Sequence, residues 1–246
     1  MSGHSKWANI KNKKAKTDAA KGKIFTKIGR EIAVAAKAGA DPSINSKLAD
    51  VIAKAKAANM PNDNIKRSIQ KATGELGNVN YENLIYEGYG VGGSAVIVST
   101  LTENKNRTVG EVRHIFDRYG GSMGNTGSVS FMFENRGVIV IERTVDLSED
   151  EALELALDAG ADDVITSDDV YEIRTAPSAF SAVRKYFEEK GYTFVEASIE
   201  MVPNDKITLN ADQIVTFRKM LDAFEDNDDV QDIYHNVDLP EDEEEE

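Results

Sequence analysis

Over the first 75 residues the apolar positions recur with the period of a helix. Ile24, Phe25, Ile28, Ile32 and Ala35 fall on one side at about 100° per residue, and Lys23, Lys27 and Arg30 fall together on the other. Breaks at Gly39–Ala40–Asp41–Pro42 and at Met60–Pro61–Asn62 divide the segment, so helices are predicted over 18–38, 43–58 and 62–73. In the third, Asn62–Asp63–Asn64 reads as a side-chain-capped start, Ile65 and Ile69 point inward, and Lys66, Arg67, Gln70 and Lys71 point outward. Residues 2–17 carry no such stripe and are expected to be mobile or helical only on binding.

From Tyr81 the pattern changes to short apolar runs alternating with helical periods. Strands are predicted at 94–101, 128–133, 137–142 and 193–203, a hairpin at 163–176 turning at Ser167–Asp168–Asp169, and a last strand at 230–237. Helices are predicted at 106–120, 148–160, 176–191 and 211–226; the second begins with Ser148 and Glu151 in capping-box spacing. Residues 137–203 thus read β-α-β-β-α-β, the split βαβ order of a ferredoxin-like unit. The pieces on either side, β-α-β and α-β, form a second unit into which the first is inserted. The expected fold is α+β: a basic helical lobe (1–78), a discontinuous middle domain (79–135 with 206–238), an inserted ferredoxin-like domain (136–205) and an acidic tail (239–246) expected to be disordered.

Composition adds a polarity to this layout. The chain has 246 residues and a formal charge of −14, yet residues 1–75 hold 16 Lys and Arg against 6 acids, a net +10. The remainder holds 13 bases against 37 acids, a net −24. Nine bases precede residue 31 against one acid, Asp18. No run of apolar residues is long enough to span a membrane, no secretory h-region opens the chain, and cysteine is absent. A cytoplasmic protein is expected.

Enzyme and cofactor signatures fail on context. Gly88–Gly93 satisfies G-x-G-x-x-G but precedes a strand, whereas a dinucleotide loop follows a strand and opens a helix. His4, His114 and His235 have no metal-ligand spacing, and the aspartate pairs 162–163 and 168–169 are sequence neighbours whose side chains diverge. EDNDDVQD (225–232) lacks the glycine and terminal glutamate of a calcium loop. No catalytic residues, cofactor or metal are assigned.

The basic end points to a polyphosphate partner. Lysines at this density in an acidic protein fit contact with nucleic-acid phosphates through Lys6, Lys11, Lys13, Lys14, Lys16, Lys21, Lys23, Lys27 and Arg30. Trp7 either stacks on an exposed base or folds back as an apolar anchor. Helices 43–73 could imitate a helix-turn-helix, the basis of a rival reading as a sequence-specific DNA-binding transcription factor. A more distant rival is a ligand-sensing or enzymatic protein with a site between the α+β lobes.

Four segments, GHSKWANIKNKKAKTDAAKGKIFTKIGREI, IYEGYGVGG (85–93), NRTVGEVRH (106–114) and DDVQDIYHN (228–236), resemble the YebC/PmpR family, to which mitochondrial translational activators of cytochrome oxidase subunit one also belong. The resemblance runs over nearly the whole chain. It implies a three-lobed α+β fold and a non-enzymatic regulator of gene expression. Many bacterial members are described as probable transcriptional regulators binding DNA, and others act in translation, including relief of ribosomes stalled at proline-rich sequences. Arg107 and Arg113 match the family pattern and are expected as further nucleic-acid contacts, or else Arg107 caps its helix region and Arg113 pairs with local acids such as Glu111 or Asp117. Nothing in the chain resembles a base-reading set on one recognition helix, so structured RNA or the ribosome is the preferred target.

Overall fold

The structure is a computed structural model and describes residues 18–74, 80–144 and 146–240. Three helices come first: α1 (Asp18–Ala36), α2 (Ser46–Ala57) and α3 (Asn62–Ala72). Ile28, Ile32, Ala36, Leu48, Ala55, Met60 and Ile65 make their shared core, with Phe25, Ala35 and Ile69 packed at its edge. The predicted stripe therefore packs as expected, except that Ile24 is 38% exposed. Gly29 lets α1 approach α3 closely, since a Cβ there would lie 3.0 Å from Ser68 Oγ. Asn45 caps α2 by accepting from the Leu48 amide. The expected side-chain cap of α3 is absent: the helix starts after Pro61, whose carbonyl accepts from the Asn64 and Ile65 amides. Proline supplies the pre-set φ at the entry, so a side-chain acceptor is not required there.

The middle lobe has strands β1 (Glu82–Tyr89), β2 (Ala95–Thr102), β3 (Ser122–Met123) and β8 (Val230–His235), with helices α4 (Lys105–Arg118) and α7 (Ala211–Glu225). Its sheet order is β3-β1-β2-β8, every neighbour antiparallel. Spatially this is the ferredoxin-like order. The strand that would come third in the chain stands first, as β1, and leaves the third place free for the inserted lobe. The glycine run is the turn of the β1–β2 hairpin. Gly92 and Gly93 take φ of 68° and 77°, and the Gly90 amide donates to Ser94 O at 2.7 Å. A Cβ on Gly88 would lie 2.5 Å from Ser122 O, so the glycine there is required by the close strand β3. On the helix side Val96, Val98, Val112, Phe116, Phe217, Met220 and Phe224 form the core, with Phe116 and Phe224 edge to face at 5.1 Å.

The inserted lobe runs β4 (Phe133–Glu142), α5 (Glu149–Ala159), β5 (Asp163–Thr166), β6 (Val170–Thr175), α6 (Phe180–Glu189) and β7 (Phe194–Pro203). Its order, β5-β6-β4-β7, is the split βαβ arrangement expected from the sequence. The capping box is present, with Ser148 N donating to Glu151 Oε2 at 2.9 Å. Three strand expectations change. Residues 82–89 and 122–123 form β1 and β3, where no strands are expected, and the strand expected at 128–133 is a loop ending in one 3₁₀ turn (Ser130–Met132) before β4 begins at Phe133.

Three ionic joints hold the lobes together. Asp50 on α2 receives Arg184 Nε at 2.8 Å and Ser181 Oγ at 2.5 Å from α6. Lys54 lies 2.9 Å from Glu31 and 3.8 Å from Asp232 on β8. These two joints line a cleft of about 410 Å³ where all three lobes meet. The third joins α1 to the middle lobe and is described below. No helix among the described residues is long and apolar enough to cross a membrane.

Candidate nucleic-acid interface

The cations of α1 face an acidic loop of their own chain. Lys23 Nζ lies 2.8 Å from Asp226 Oδ1, and Lys27 Nζ donates to Glu225 O at 2.9 Å. Arg30 Nη1 reaches Leu101 O, Asp228 O and Asp229 Oδ1 at 2.9, 2.7 and 2.8 Å, with its guanidinium 5.5 Å from the centre of the Tyr81 ring. The amphipathic pattern locates the polar side of α1 correctly. That side meets the end of α7 and the start of β8, not open solvent.

Asp229 is the centre of this joint. It is buried, and its carboxylate accepts from Arg30, from Arg107 Nη2 at 2.6 Å, from Thr108 Oγ1 at 2.8 Å and from Thr102 Oγ1 at 3.1 Å. Burial alone would raise its pKa, but the bonds from Arg107, Thr108, Arg30 and Thr102 outweigh it and bring the value down to about 2. Arg107 is half exposed and also lies 3.9 Å from Glu111. The cap expected of Arg107 falls to Asn104, whose side chain accepts from the Arg107 amide, while the Arg107 guanidinium pairs with Asp229, a partner not expected from the sequence. The NRTVGEVRH and DDVQDIYHN segments meet here, a junction visible only once the chain is folded.

Other cations are left outward. Lys56 at the end of α2, and Lys66, Arg67 and Lys71 on α3, are exposed, and their side chains make no hydrogen bond or ion pair among the described residues. They share that side of α3 with Gln70, and Asp63 is the one acid of that helix. Arg113 on α4 is likewise exposed and unpaired among the described residues. Lys21 is exposed on α1. Lys6, Trp7, Lys11, Lys13, Lys14 and Lys16, with the acidic end at 241–246, lie outside the described residues.

The remaining histidines have structural or surface places. His114 is exposed, and His235 stacks edge to face with Phe217 at 5.1 Å while its Nδ1 accepts from the Val237 amide. Among the described residues no three histidine or carboxylate side chains converge as a metal site.

Two family descriptions match the chain: the TACO1/YebC protein N-terminal domain over residues 5–75, and the TACO1/YebC second and third domain over residues 81–237. A probable transcriptional regulatory protein of Acetivibrio thermocellus is 60% identical over 238 residues, covering 96% of this chain and 98% of that protein. Another of that description from Hathewaya histolytica is 55% identical over 242 residues, 98% of each. The crystal structure of a conserved hypothetical protein from Aquifex aeolicus superposes with a TM-score of 0.83 at 40% identity, covering 94% of this chain and 96% of that one. With both family descriptions matched in order, and with relatives this similar along their whole length, the chain belongs to the TACO1/YebC family.

Proposed function

We propose that this protein is a non-enzymatic, cytoplasmic, nucleic-acid-binding regulator of gene expression whose helical lobe grips the partner's phosphates, with structured RNA or the ribosome the preferred target. The relatives' description as probable transcriptional regulatory proteins supports the regulatory class. The observation that carries the reading is the division of cations in the helical lobe. Lys23, Lys27 and Arg30 are engaged within the chain, by Asp226, the Glu225 carbonyl and Asp229, while Lys56, Lys66, Arg67 and Lys71 are exposed with side chains unpaired among the described residues. Those four follow Lys6, Lys11, Lys13, Lys14 and Lys16 within the net-positive first 75 residues of a chain that is elsewhere strongly acidic. Phosphates would be attracted to this end and repelled by the rest. Lysines and one arginine on a short helix fit backbone contact better than base readout.

The test is salt-titrated binding to ribosomes, structured RNA and promoter DNA. The proteins compared are the full chain, a form lacking residues 1–23, and the variant Lys66→Glu/Arg67→Glu/Lys71→Glu. Removing one phosphate-binding cation should reduce the slope of log affinity against log salt by roughly 0.7–0.9. The charge variant should bind more weakly with a shallower slope. Tight binding to one promoter, insensitive to both changes, would overturn the proposal.

A further inference from the structure

We propose that Phe131, at the end of the β3–β4 loop, is a stacking platform for an unpaired base of single-stranded nucleic acid. The inference rests on the nucleic-acid reading above and adds a second contact, on a different lobe and of a different kind.

Phe131 is 71% exposed, although its neighbours on both sides are committed to the interior. Val129 is wholly buried and Phe133 nearly so, in a cluster with Ala95 and Ile97 against which Met132 also packs. The loop is held from beneath by one carboxylate. Glu87, buried on β1, accepts from the Gly127, Val129 and Ser130 amides at 2.8, 2.9 and 2.8 Å. The Gly124 amide donates to Glu87 O at 2.8 Å, Tyr89 OH donates to Ser128 O at 3.1 Å, and the Asn204 amide donates to Met132 O at 2.9 Å. The ring is thus presented by a braced backbone.

The surroundings favour a base over other occupants. Between Arg118 and Glu134 lie 15 consecutive uncharged residues, in a chain that is 29% charged. A polyanion can approach this loop without meeting an acid on it. Asn125 and Thr126 are exposed there and offer donors and acceptors of the kind that pair with base edges. Ile85 and Tyr89 are exposed on β1 on either side of Glu87. A self-association surface would need a continuous apolar centre, whereas Phe131 shares its loop with glycine, asparagine, threonine and serine. Exposed aromatic rings among neutral hydrogen-bonding groups are how proteins stack unpaired bases, and Phe131 is the most exposed of those at this loop.

Phe131→Ala, Phe131→Trp and the triple charge variant are compared in the full chain. Binding to a short single-stranded RNA, to the matching duplex and to ribosomes is followed over a range of salt. Phe131→Ala is expected to lose about five- to 150-fold in affinity for the single strand with an unchanged salt slope, and little for the duplex. Phe131→Trp should retain binding, and the melting temperature of Phe131→Ala should match that of the parent, since the ring is exposed. Unchanged single-strand binding by Phe131→Ala, beside a shallower slope in the charge variant, overturns the stacking site and leaves the nucleic-acid reading standing. No nucleic-acid binding by the parent overturns both. A shift in oligomeric state on Phe131→Ala, with binding unchanged, would assign the ring to contact between copies and overturn the proposal.

Discussion

One buried aspartate shows how much a single side chain determines here. Asp229 receives two guanidinium groups and two hydroxyls, and these keep its pKa near 2 where an ordinary aspartate has 3.8. A depressed folded-state pKa stabilises the fold at pH above the unfolded value, and that contribution is lost as pH falls through the folded one. Asp229 should therefore contribute on the order of 2 kcal/mol near neutral pH, disappearing between about pH 4 and pH 2. Asp229→Asn should lower stability and flatten this part of the pH profile in chemical denaturation. Asp229→Ala should cost more, about 3 kcal/mol or above, because Arg30 would be left largely buried without its carboxylate. A variant with unchanged acid sensitivity would show that other carboxylates dominate it. The sequence places Asp229 in an acid-rich run and gives no sign that this one among its neighbours turns inward. That choice depends on partners about 120 and 200 residues away along the chain.

At the level of elements, most helices and the whole inserted lobe are legible because their apolar periods are regular. Strand β1 is not, and Glu87 is the reason. Along Ile85–Glu87–Tyr89 the acid is buried and both apolar neighbours are exposed, the reverse of the usual alternation. The same residue explains why no strand forms at 128–133. The Val129 and Ser130 amides, which a strand would offer to a ladder, go to the Glu87 carboxylate instead. Burial would raise the pKa of Glu87, but the amides of Gly127, Val129 and Ser130 lower it overall. Glu87→Gln keeps the shape and one acceptor oxygen, leaving at least one buried amide unmet, at a cost of about 1–3 kcal/mol. Amide exchange at Gly127, Val129 and Ser130 should accelerate in that variant far more than exchange in β2 or α4. Uniform acceleration would mean that the loop opens only with the whole lobe. Helix α1 makes a related point: hydrophobic periodicity identifies the side that avoids water, and leaves open what covers the other. Lys27 and Arg30 read as solvent-facing for that reason, and a second lobe covers them.

At the level of the whole molecule, the separation of charge raises the question of whether salt that weakens the proposed nucleic-acid binding would also separate the lobes. The joints differ in burial, and burial decides. Lys23 and Asp226 are 47% and 75% exposed, so their pair contributes at most about 1 kcal/mol and is screened at high salt. Arg184 and Asp50 are 7% and 17% exposed, and Arg30 and Asp229 are 17% and 3% exposed, where screening is weak. At the three-lobe cleft burial would lower the Lys54 pKa, but Asp232 and Glu31 hold it above its ordinary range, so that lysine stays charged at any working pH. Raising salt toward ~1 M should therefore abolish phosphate-driven binding while the radius of gyration in solution scattering stays constant. Asp50→Ala should do the opposite. It removes one of two carboxylates on a buried arginine, Glu188 at 2.8 Å being the other, at a cost of about 1–3 kcal/mol, and should loosen the inserted lobe against the helices. The expected signature is faster amide exchange in α2 and α6 and a larger radius, with the proposed phosphate binding through α3 retained. Lys23→Ala should change neither. An expansion of the parent protein in high salt would instead mean that its exposed pairs, not its buried ones, hold the lobes in place.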